Sequence, residues 1–219
     1  MASLEYILFI CVTAPLFLMF LLVEGRPKLA FGYMIIGIVT CLFASELNSI
    51  LLEFFDYDYV YMTTVITPIT EEIVKAIPIL FYAKVFSDKK RYVLMISFAL
   101  GIGFGMFENM VILVQNMETV TLGWAVIRGF STALMHGMCT YMVGFGITFI
   151  NKRRKMFFSG IFALLTFASI YHGIFNMLQL NNKYLGACIP ILTYLPVLIV
   201  RRMRVRQAER NAALNAAAG

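Results

Sequence analysis

Residues 71–75 read Glu-Glu-Ile-Val-Lys, two adjacent carboxylates and an amine inside an otherwise apolar stretch. Further along, Glu108 and Asn109 interrupt a second apolar stretch, Arg128 and His136 a third, and His172 and Asn176 a fourth. The chain has only two histidines, and both fall in this set. Spacing groups the residues by helix face. Glu71 and Lys75 are i,i+4 with the acid on the N-terminal side, the favourable order for a pair. Arg128, Thr132 and His136 repeat every four residues and share a face, as do His172 and Asn176.

Adjacent carboxylates beside a cation can hold different protonation states, so one of them can act as general base on a water. A histidine can orient that water or move a proton. A His and Asn pair one turn apart can donate hydrogen bonds to a developing oxyanion. These are the parts of an amide hydrolase. No serine or cysteine stands at a recognisable nucleophile motif. The four cysteines lie far apart without CxxC spacing and read as small buried hydrophobes.

The elements that must carry these residues are membrane helices. The chain is 61% hydrophobic and 14% charged, and its mean hydropathy is +0.83. A soluble domain of 219 residues cannot keep that much apolar surface from water. Seven stretches are long enough to span a bilayer: about 4–23, 30–52, 60–83, 93–115, 122–150, 156–178 and 184–200. The expected fold is an all-α membrane protein, one polytopic domain over 1–206, with catalytic helices within 60–178 and a polar, Ala-rich tail over 207–219.

Basic residues alternate between the loops. Arg26 and Lys28, then Lys84 to Arg91, then Lys152 to Lys155, then Arg201 to Arg210 fall on one side, and Lys183 alone on the other. The positive-inside rule then puts the N-terminus outside and the C-terminus in the cytoplasm. The net charge of +6 thus reports topology, not nucleic-acid binding. Lys75 and Arg128 remain inside spans, where a charge costs a few kcal/mol and marks a functional site. The glutamates sit about 11 residues below the outer end of the third span, near mid-membrane at about 1.5 Å per residue. A packing salt bridge is the competing reading for Glu71, Glu72 and Lys75. A satisfied core imidazole is the competing reading for His136 and His172. Gly101, Gly103 and Gly105 read as close helix packing rather than a phosphate loop.

Glu71-Glu72-x-x-Lys75, then Phe104-x-x-x-Glu108, then His136 and His172 resemble the PrsW family of intramembrane proteases, which belongs with the CAAX-processing and bacteriocin-processing glutamic proteases. The resemblance runs in order over about 60–178. It implies Glu71 as general base, Glu72 as a structural or tuning partner, and His172 and Asn176 as oxyanion donors. Glu108 stands where the wider superfamily has histidine, so either Glu108 or His136 orients the water. The resemblance also implies a membrane-anchored protein substrate such as an anti-sigma factor, cut at a first site in the cytoplasmic membrane. No cofactor is expected. The alternatives are a zinc hydrolase on the same residues, a proton-coupled transporter, and a non-catalytic assembly factor. No feature of the sequence reports oligomeric state.

Overall fold

The computed structural model describes residues 27–151 and 154–217, together with Ala14, Pro15 and Leu18. The first expected span, 4–23, lies almost wholly outside the described residues. The rest is helical, with no strand among the described residues. In chain order the helices are α1 (Pro27–Phe55), the short turn α2 (Tyr59–Tyr61), α3 (Thr67–Val85), α4 (Lys90–Gln115), α5 (Leu122–Ile147), α6 (Arg154–Asn181) and α7 (Lys183–Ala217). A π-helical segment, Met62–Ile66, joins α2 to α3 without a break.

The ends follow local chemistry. Asp58 accepts from the backbone N–H groups of Val60 and Tyr61 and so starts α2. Thr121 caps α5 by accepting from Trp124. Asp56, at φ 50°, turns the chain between α1 and α2. α7 runs on as helix past residue 206 to Ala217.

α4 is the central post. Every residue from Val93 to Met106 is buried, with α5 and α1 packed along it. Glycines permit this closeness. A Cβ at Gly103 would sit 2.0 Å from the Met34 carbonyl oxygen, and one at Gly101 would sit 2.4 Å from that of His136. The glycine run is therefore a two-sided packing surface, Gly103 toward α1 and Gly101 toward α5. α3 and α6 close the bundle against α5 and each other.

Among the described residues, four helical stretches are long and apolar enough to cross a membrane: α1, α4, Phe157–Asn181 and Tyr184–Asn211. α3 and α5 have the length but carry Glu71, Glu72, Lys75, Arg128 and His136. The residues that build the polar interior are those that dilute their hydropathy.

Candidate active site

The polar residues of α3, α4, α5 and α6 meet in one buried cluster. Its deepest part is an ion pair: Lys75 Nζ lies 2.6 Å from Glu72 Oε1, with both side chains fully buried. Spacing pointed to Glu71 as the partner of Lys75; the structure pairs Lys75 with Glu72 instead. Position 72, like 75, turns toward α5 and α6, whereas position 71 turns to an open cavity.

Lys75 also donates to His136 Nδ1 at 2.8 Å. An ammonium has no lone pair to give, so Nδ1 accepts and the ring proton sits on Nε2. That proton points to Glu108 Oε2. Arg128 Nη2 reaches the other Glu108 oxygen at 3.4 Å. The side chain of Phe104 lies under the Lys75 ammonium, 4.3 Å from ring centroid to nitrogen. A continuous chain of contacts therefore runs Glu72, Lys75, His136, Glu108, Arg128.

His172 enters from α6. Its Nδ1 is 3.1 Å from Glu72 Oε1. An ionised Glu72 can only accept, which puts a proton on His172 Nδ1, so in the neutral imidazole the lone pair is on Nε2; that atom faces Glu71 Oε2, 3.8 Å away. The Glu71 oxygen makes no hydrogen bond. Asn176, one turn further along α6, donates to the Thr63 carbonyl at 3.0 Å. That carbonyl belongs to the π-helical segment, where the widened turn breaks the regular hydrogen-bond ladder.

Two cavities approach this cluster. One of about 480 Å³ is lined by Glu71, Glu108, Arg128, Asn176, Gln115 and Thr119, among others. The second, of about 350 Å³, lies between α1 and α4. Both share Glu71 and Glu108, and also Tyr59, Thr63 and Thr67. His136, His172, Glu72 and Lys75 line neither. The expected site residues thus divide in two. Glu71, Glu108, Arg128 and Asn176 face open space, and the others form a buried frame behind them.

Thr63 and Thr67 were not singled out from sequence. They precede Glu71 by eight and four residues, a helical spacing that was a usable signal. Gln115, seven residues after Glu108 on α4, carries the same kind of signal.

Glu71, His136 and His172 each offer a ligand atom, all within 4.8 Å of one another. Two histidines and a carboxylate form the protein ligand set of one class of catalytic zinc. Glu71 Oε2 and His172 Nε2 fit such a role as they stand. Each has a lone pair, and Glu72 fixes His172 Nδ1 as carboxylates do behind metal-bound imidazoles. His136 does not fit. Both its ring nitrogens are engaged, Nδ1 by a cation that would have to leave before a metal could bind.

A family model described as PrsW family intramembrane metalloprotease matches residues 25–201. Neither the curated proteins nor the solved structures give a match.

Proposed function

Because the chain belongs to the PrsW family of intramembrane proteases, and is by that membership a peptidase acting on a membrane-embedded protein, we propose that Glu71 activates the water that cleaves the peptide bond. The observation that carries this reading is the position of Glu71. Its Oε2 has no hydrogen-bond partner, and the residue lies where two cavities meet. A water there has Glu71 on one side and Glu108 on the other. Glu71 takes the water's proton as the oxygen attacks the scissile carbonyl carbon, then delivers it to the leaving amine.

Glu108 orients the water in this reading, and His136 holds Glu108. The choice follows from access: Glu108 lines both cavities and keeps 22% of its side chain exposed, while His136 is fully buried. Asn176 has a second amide proton beyond the one given to Thr63, and Arg128 lines the same cavity; both can meet an oxyanion. His172 joins them from Nε2 only as the imidazolium, because Nδ1 already serves Glu72.

The second reading is metal-dependent. It rests on the Glu71, His136 and His172 cluster and on the family description. Glu71 and His172 would hold the ion, with His136 joining after Lys75 withdraws. Such an ion polarises a carbonyl and lowers the pKa of bound water. Elemental analysis of the purified protein separates the two. Substoichiometric metal, with cleavage that survives strong chelators and disappears in Glu71→Gln, supports the first. One tightly held ion per chain, lost in His172→Ala, supports the second.

The topology extends the reading. Seven spans with the N-terminus outside and the C-terminus in the cytoplasm put this site at middle to outer depth of the cytoplasmic membrane. The alternation of basic loops supports that orientation. A site-1 cut in a membrane-anchored anti-sigma factor suits such a depth. Co-expression of single-span anti-sigma factors with the wild type and with Glu71→Gln tests the substrate class. A fragment that appears only with the wild type is the expected result.

A further inference from the structure

The cavity between α1 and α4 has a construction that the catalytic reading does not use. The two helices are locked together at Gly37 and Gly103, where a Cβ would meet the Leu100 and Met34 carbonyl oxygens at 2.1 and 2.0 Å. One turn beyond Gly37 the cavity begins. Cys41, Ser45, Asn48 and Leu52 line its α1 wall. They recur at i, i+4, i+7 and i+11, so they form one continuous stripe on the helix. Phe107 and Val111 line the facing wall on α4. The groove runs from the glycine contact toward the C-terminal end of α1. It ends on Glu71 and Glu108.

This stripe is partly polar where an apolar wall would pack better. Away from α4, α1 is exposed, with Phe43 60% and Ile50 61% exposed. Asn48 is hydrogen-bonded to the Thr70 hydroxyl, which still leaves it an amide proton as a donor on the wall. Ser45 and Thr63 add hydroxyls. Backbone that leaves a helix at membrane depth is tolerated only where protein or water satisfies its N–H and C=O groups. A scissile segment must leave its helix for its carbonyl to be attacked. A groove with apolar flanks and spaced hydroxyl and amide groups suits that need.

The length of the stripe sets how many extended residues it can hold. The stripe spans 41 to 52, about 16 Å at 1.5 Å per residue. An extended strand covers the same 16 Å with about five residues.

We propose that the α1–α4 cavity is the substrate-binding groove, which takes an extended stretch of about five residues unwound from a membrane-spanning helix, with Ser45 and Asn48 meeting its backbone. The polar cavity on the α5–α6 side then supplies the water. The proposal rests on the proteolytic reading but is tested by occupancy, not by turnover.

The probe is a synthetic Leu/Ala transmembrane peptide with a central Gly-Asn-Gly interruption, reconstituted with the full chain in vesicles. An uninterrupted Leu/Ala peptide is the comparison. Thiols are introduced in the Glu71→Gln background by Ser45→Cys in the groove, Thr119→Cys in the polar cavity and Phe43→Cys on the exposed face of α1. Maleimide labelling is read by peptide mass mapping, so native cysteines stay. The interrupted peptide should slow labelling at position 45 about tenfold, as expected for a site about nine-tenths occupied. It should leave position 43 unchanged, and the uninterrupted peptide should protect neither. Equal labelling at position 45 with and without the interrupted peptide overturns the proposal, as does protection at 119 with none at 45. Protection at 45 in a protein whose Glu71-intact form cuts no membrane protein would sink the proteolytic reading while leaving the groove occupied.

Discussion

Glu71 and Glu72 are neighbours in sequence and belong to different regions of the molecule. Behind Glu72 lies a sealed frame: Lys75, His136 and His172, each almost fully buried and joined by hydrogen bonds. In front of Glu71 lies open space, shared with Glu108, Arg128 and Asn176. One set of polar residues, on four helices, is thus split into a sealed group and a group that faces a cavity. The frame's charges are expensive to bury and are tolerable only as a connected set. The front's charges can meet water.

The comparison breaks most sharply at Lys75. Lys75→Met removes the cation between Glu72 and His136 and leaves the Glu72 carboxylate buried without it. A loss of about 3–5 kcal/mol in stability is expected, read as a large drop in folded protein in detergent. Adding Glu72→Gln to Lys75→Met should recover much of that stability, because no buried charge is then stranded. If the double variant is as unstable as the single, the frame is not an ion-pair frame.

The front should respond in activity instead. If Asn176 serves as the proposed oxyanion donor, Asn176→Ala should lower cleavage about 10²-fold. Stability should change by only about 1 kcal/mol, for the lost bond to Thr63. Equal loss of fold and activity would move Asn176 into the frame.

A smaller effect concerns the packing that sets the two regions apart. Gly103→Ala puts a methyl against the Met34 carbonyl and must push α1 off α4. A cost of about 1–3 kcal/mol is expected, measured as a lower denaturation midpoint. No change in that midpoint would show that the helices are not pinned there.

Much of this arrangement was legible in the residues themselves. Intramembrane charge marked Lys75 and Arg128, and helical spacing brought Arg128 and His136 onto a common face, where both meet Glu108. Four-residue spacing misled at Lys75, because i,i+3 and i,i+4 partners are both within reach on a helix. Which glutamate pairs is decided by the neighbours on α5 and α6, and those are tertiary facts. The role of the π-helical segment was hidden for a related reason. Met62 to Ile66 contain no proline or glycine to mark an irregular turn, yet the altered turn sets the Thr63 carbonyl against Asn176. The groove on α1 was equally silent, since Ser45 and Asn48 matter only once Gly37 and Gly103 fix how the two helices pack.

The claim that Glu71 is the working carboxylate and Glu72 the framing one is tested most directly by mapping new protein termini in membranes that contain equal amounts of folded wild type or Glu71→Gln. The account predicts that fragment termini present with the wild type fall at least about 10²-fold in Glu71→Gln. Undiminished termini in Glu71→Gln would contradict it.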